Sequence, residues 1–138
     1  MIPLNIKFQI PSFHRTVATE NGVIYLIGGT NIENLQKSSS IYQYDPLHAT
    51  LSQVGNLQVG RSSQSMVCYK KIIYIVGGVA DNDEIPKKCE LFNSRTKESK
   101  LIAPCKYPTT NSTLCCLGGE NLIKLGGVDT EGRNSDFI

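Results

Sequence analysis

The sequence predicts an all-β protein assembled from repeated four-stranded antiparallel sheets. Three observations point there. A Gly-Gly doublet recurs at a constant step, each doublet closes a short apolar run, and further short runs fill the interval between doublets. Gly28-Gly29 returns as Gly77-Gly78 and again as Gly126-Gly127, each 49 residues after the last. Two equal steps are far harder to reach by chance than one doublet. A fixed period of roughly 20 to 50 residues marks solenoids and propellers.

The run before each doublet reads as a buried strand. These runs are Val23-Ile24-Tyr25-Leu26-Ile27, Ile72-Ile73-Tyr74-Ile75-Val76 and Leu122-Ile123-Lys124-Leu125. They are rich in β-branched and aromatic residues, end in glycine and are too short for helices. A strand precedes each one. A shift of 49 superposes Val17, Met66 and Cys115, and also Ala18, Val67 and Cys116. The turns between are Glu20-Asn21-Gly22, Tyr69-Lys70-Lys71 and Gly118-Gly119-Glu120, of which Asn-Gly is the strongest hairpin signal. Third strands follow in Ser40-Ile41-Tyr42-Gln43-Tyr44-Asp45-Pro46 and Cys89-Glu90-Leu91-Phe92-Asn93-Ser94. The Asp-Pro ends the first of these, because proline cannot donate to a ladder. Fourth strands are expected near residues 50–54 and 98–102. Four short antiparallel strands per repeat describe one blade of a β-propeller.

With these residues placed, the chain resembles the kelch repeat family. The resemblance rests on the Gly-Gly doublets, on Tyr25 and Tyr74 three positions before them, on Tyr44-Asp45-Pro46, and on Arg61 sixteen residues before Gly77. The family's usual fourth-strand Trp is replaced by Leu51 and Ser99, and the Arg position reads as Ser12 in the first repeat and Thr110 in the third. The resemblance implies a partial kelch-type β-propeller of about 2.5 to 3 blades within one region, residues 1–138. Blade one is expected over about residues 12–60, blade two over about 61–109 and a partial blade three over about 110–138. Residues 1–11 read as the last strand of a preceding blade, and residues 134–138 as the start of a third strand.

Composition narrows the function. The formal net charge is only +2, and the charges are scattered, so no footprint for nucleic acid or an anionic membrane is expected. The N-terminus lacks the apolar core of a signal peptide, and no stretch approaches the roughly 18 apolar residues of a membrane span. Five cysteines, an odd number without CxxC, favour a reducing, cytoplasmic setting over a disulfide framework. The glycines match no phosphate-cradling motif and read as structural. Cys115 and Cys116 fall on strand positions and read as small hydrophobes. His14 and His48 are the only histidines, with no metal-ligand spacing, so no metal, cofactor or catalytic residue is assigned.

The leading functional expectation is a non-catalytic scaffold for protein partners, with rigid blades carrying variable loops. The resemblance implies roles such as a ubiquitin-ligase substrate adaptor or a cytoskeletal scaffold, and a chain that belongs to a larger propeller or self-assembles to complete one. In kelch propellers one face is built from the loops entering the first strand and those joining the second and third. Carried onto this sequence, the partner-binding loops contain His14, Arg15, Arg61, Ser62, Ser63, Asp81, Asp83 and Glu84, with Ser112 and the stretches 31–37 and 81–87 beside them. Arg61 has two readings, and the favoured one is a brace within the blade, as the resemblance implies, since its five donors suit bridging backbone carbonyls. Two rival readings remain: a segment of a propeller enzyme, an oxidase or a sugar-processing protein, and a purely structural blade segment.

Overall fold

The computed structural model describes residues 9–119 and 121–135. It contains ten strands: β1 Arg15–Ala18, β2 Ile24–Ile27, β3 Ser40–Asp45, β4 Thr50–Asn56, β5 Ser65–Tyr69, β6 Ile72–Val76, β7 Cys89–Asn93, β8 Glu98–Ile102, β9 Thr113–Leu117 and β10 Asn121–Leu125. The sheets are β1-β2-β3-β4, β5-β6-β7-β8 and the hairpin β9-β10, every pairing antiparallel. The only helical element among the described residues is a single 3₁₀ turn at Asp81–Asp83. These are two four-stranded propeller blades and the inner hairpin of a third. The strand expected within residues 1–11 falls largely on residues 1–8, outside the described residues, as does most of the stretch 134–138.

Strand β6 shows why the apolar runs are continuous. Side chains alternate across a strand. Ile73 and Ile75 face blade one, where they pack with Tyr25, Ile27, Ile41, Leu57 and Phe92, all buried. Tyr74 and Val76 face the other way, into a second cluster with Cys89 and Leu114 on the blade-three side. A blade with a neighbour on each face buries both sets. Tyr25 and Phe92 meet edge to face across the first boundary, with centroids 5.7 Å apart and planes at 69°, an arrangement aromatic rings favour. In blade one, Val54 is the extra residue of a bulge opposite Ile41 and Tyr42, and it packs against the same cluster.

The strand pairing corrects one part of the repeat alignment. Val17, Val67 and Cys115 lie opposite Tyr25, Tyr74 and Ile123. Val67, not Met66, is therefore the counterpart of Val17, and Cys116 matches Ala18 and Cys68. The cause is turn length. Blade two closes its first hairpin with the two residues Lys70-Lys71, Lys70 taking φ 55°, one residue fewer than the turn at 20–22 or at 118–120. A compensating change in the preceding loop keeps the doublets at a constant step. The bridges Ser12↔Thr30, Ser62↔Val79 and Thr110↔Val128 record it. The counterparts of Arg61 are thus Pro11 and Thr109, not Ser12 and Thr110.

The doublets join successive blades. Gly29 N donates to Arg61 O at 2.9 Å, and Gly78 N donates to Thr109 O at 3.1 Å. Gly28 and Gly77 sit at φ 68° and 65°, where an L side chain is strained. A Cβ on Gly28 would also collide with the Arg61 carbonyl, and one on Gly77 with the Thr109 carbonyl. A Cβ on Gly126 meets no heavy atom within 4 Å.

Candidate functional site

The loops entering the first strands and the loops joining second to third strands lie at one end of the blades, because the first strand begins beside the end of the second. Backbone bonds tie these loops into a continuous rim. Ser63 N donates to Phe13 O at 3.2 Å, and Asn111 N donates to Ser63 O at 3.1 Å. Arg15 Nε donates to Gln64 O and its Nη2 to Asn111 Oδ1, each at 3.1 Å, so one exposed side chain reaches all three blades. His14 Nδ1 lies 2.9 Å from Pro11 O. Ser65 Oγ donates to Ser112 O at 2.7 Å.

The acidic stretch lies on the same rim. Ala80 N donates to Glu84 O at 2.7 Å, closing a loop in which Asn82 and Asp83 take positive φ. Asp81 Oδ1 accepts the Lys37 amide at 2.9 Å, joining the corresponding loops of blades one and two. Asp83 and Glu84 stay exposed. The third loop of this series repeats the theme with residues the sequence reading passed over. Asp129 Oδ1 accepts the amides of Glu131 and Arg133 at 2.8 and 2.9 Å, and Arg133 Nε donates to Asp129 Oδ2 at 3.0 Å. The Arg133 amide first, opposed by burial and helped by the Glu131 amide and the Arg133 side chain, holds the Asp129 carboxyl below its ordinary range. The repeat step was the available signal, since one period beyond Asp81 lands between Asp129 and Glu131. The opposite end of the blades carries a small basic cluster. Lys71, Arg95 and Lys97 line a cleft there, with Lys97 Nζ donating to Tyr25 Oη at 2.7 Å and to Gln43 Oε1 at 2.8 Å.

Two of the expected contact residues are not on the surface. Ser62 is buried, and Arg61 is fully buried. The reason is the hydrogen-bond demand of the linker between blades. Arg61 Nε donates to Val59 O at 3.2 Å, Nη1 to Gly77 O at 3.1 Å and to Lys88 O at 3.0 Å, and Nη2 to Glu90 Oε1 at 2.7 Å. Glu90 in turn accepts the amides of Gln58 at 2.6 Å and Val59 at 3.0 Å. Burial pushes the guanidinium pKa down, and the charge of Glu90 and its hydrogen bond pull it back up. Arg61 therefore braces the blade, and His14, Arg15, Ser63, Asp81, Asp83 and Glu84 are left to face outward. Glu90 went unremarked in the sequence, although a carboxylate inside an apolar strand is a signal for a buried partner.

Among the described residues no group of three His, Cys, Asp or Glu side chains comes together as metal ligands would. His14 lies on the rim, whereas His48 lies in the turn at the other end of β3, its Nδ1 2.6 Å from Oδ2 of Asp45, the residue that caps the turn. Among the described residues no helix is long and apolar enough to cross a membrane.

No family model matches the chain. Individual proteins do. It is 23% identical over 131 residues to beta-scruin of Limulus polyphemus, covering 91% of this chain and 14% of that protein. It is 22% identical over 110 residues to Kelch-like protein 41b of Danio rerio, covering 80% of this chain and 18% of that protein. It is 37% identical over 57 residues to human Kelch-like protein 6, covering 41% and 9%. The chain thus spans a small part of these relatives. Among solved structures, YjhT superposes with a TM-score of 0.75 at 12% identity, over 88% of this chain and 45% of that one. Repeat step, blade topology and relatives agree: the chain folds as successive blades of a β-propeller and is similar to kelch-repeat proteins.

Proposed function

We propose that the chain serves as part of a non-catalytic scaffold that binds a protein partner through the rim of loops at one end of its blades. The observation that carries this reading is the convergence of exposed polar loops from all three blades, held together by Arg15 and by the Lys37–Asp81 contact. Rigid strands with variable connecting loops are a recognition surface by construction. Acidic side chains at Asp83 and Glu84, with Glu131 beside them in an exposed ion pair with Arg133, favour a partner segment carrying Lys or Arg. The kelch relatives support a binding role, and cysteines without disulfides suit a cytoplasmic setting.

The test is photo-cross-linking in extract of the source cells, with the cross-linker placed at Asp83 and, as control, at Glu98 on the outer edge of blade two. The expected result is a discrete adduct from position 83 only, lost when Glu84 and Glu131 are changed to Lys. Equal adducts from both positions, or an adduct indifferent to the charge reversals, would overturn the reading.

A further inference from the structure

Beside the second core cluster lies a cleft of about 400 Å³ between blades two and three, lined by Tyr74, Val76, Cys89, Cys105, Leu114 and Lys124 among others. Two of the five cysteines meet there. Cys89, on β7, is buried, and Cys105, on the linker after β8, packs against it and is only partly covered. Both converge on one carbonyl. Cys105 N donates to Lys87 O at 2.8 Å, and Cys89 Sγ lies 3.6 Å from the same oxygen. The bland account is packing. Cys89 and Cys105 stand where the preceding boundary has Ile41 and Leu57, both core residues. Packing alone does not explain two thiols in place of two aliphatics, side by side, with the Lys124 ammonium in the same cleft.

We propose that Cys105 and Cys89 form a peroxide-oxidised dithiol site, with Cys105 the attacking sulfur and Cys89 the resolving one. Their environments divide the roles. The hydrogen bond from the Cys89 thiol, helped by the backbone at Tyr107 and by Lys124 and opposed by burial, holds the Cys105 thiol below the ordinary thiol range. That same hydrogen bond, together with burial, pushes the Cys89 thiol up. The thiolate is the nucleophile. In the first step Cys105 sulfur attacks one oxygen of hydrogen peroxide. The O–O bond breaks, the other oxygen leaves as hydroxide and takes a proton, and Cys105 becomes a sulfenic acid. Cys89 then attacks that sulfur as it loses its own proton. The S–S bond forms, the S–O bond breaks, and a second water leaves. Two thiols lose two electrons and the peroxide is reduced to two waters.

The experiment treats the full chain with equimolar hydrogen peroxide, alkylates the remaining thiols and maps the tryptic peptides by mass. Arg95, Lys97 and Lys100 separate the two cysteines into different peptides. The expected product is one linked pair carrying Cys89 and Cys105, with Cys68, Cys115 and Cys116 alkylated. In Cys89→Ser the reaction stops at a sulfenic acid on Cys105 that dimedone captures, and in Cys105→Ser residue Cys89 stays reduced. Circular dichroism checks both variants, and if either unfolds the wild-type linkage map decides alone. Oxidation that falls first on Cys68, Cys115 or Cys116, or that leaves Cys105 unlinked to Cys89, overturns the proposal.

Discussion

Replacing Arg61 by alanine removes the cation of a fully buried ion pair and four hydrogen-bond connections at once. The carboxylate of Glu90 then keeps only the amides of Gln58 and Val59, and the carbonyls of Gly77 and Lys88 lose their shared donor. Taking one partner from a buried pair costs about 3–5 kcal/mol, because the remaining charge stays uncompensated. Domain stabilities run at about 5–15 kcal/mol, so the loss is a large fraction of the whole. With a urea slope of about 1–3 kcal/mol per molar, the unfolding midpoint falls by at least roughly 1 M. The assay is equilibrium urea unfolding followed by far-UV circular dichroism. Arg61→Met combined with Glu90→Leu removes both charges and should cost less than the two single changes added together, by about 1 kcal/mol or more. A shift for Arg61→Ala of under about 1 kcal/mol, or strict additivity of the pair, would refute the argument that the two charges depend on each other.

Two further outcomes are expected. Gly126→Ala should cost about 1–2 kcal/mol, the strain of an L side chain at positive φ, whereas Gly77→Ala should cost distinctly more because its Cβ strikes the Thr109 carbonyl. Thermal unfolding of the two variants side by side checks this, and equal losses would count against the doublet as a blade-to-blade contact. Iodoacetamide labelling should reach Cys105 before Cys68 as pH is raised. The Cys105 thiol is held low, so its thiolate appears first, while burial and then Glu20 push Cys68 up. Peptide mapping over a pH series reads the order, and prior labelling of Cys68 would contradict it.

How far the sequence could be read depended on the range of each interaction. Strands such as β6 and β8 were legible to the residue, because alternation and glycine punctuation are local signals. The one-residue slip in blade two was hidden. Its short turn, Lys70-Lys71, carries no glycine, and a compensating change upstream leaves the doublets evenly spaced. The counterparts of Arg61 were misplaced for that reason alone. The candidate rim was legible as a set of loops, through the resemblance. The resemblance and its five donors favour Arg61 as a brace, but the partners it grips were not legible, because Gly77 O, Lys88 O and Glu90 lie 16, 27 and 29 residues away. The burial of Ser62 had no local sign either.

The doublet contact joins unlike surfaces, since the amides of Gly29 and Gly78 each donate to the linker that leads into the next blade, and the Arg61 amide of the first linker donates back to Ser38 O. Such a heterologous, head-to-tail association repeats one rotation at every step, and it closes into a ring only when that rotation divides the full circle evenly. At Gly28 and Gly77 the missing Cβ lets the next backbone close to hydrogen-bonding distance, and a single methyl group there would act as a shim between the two blades.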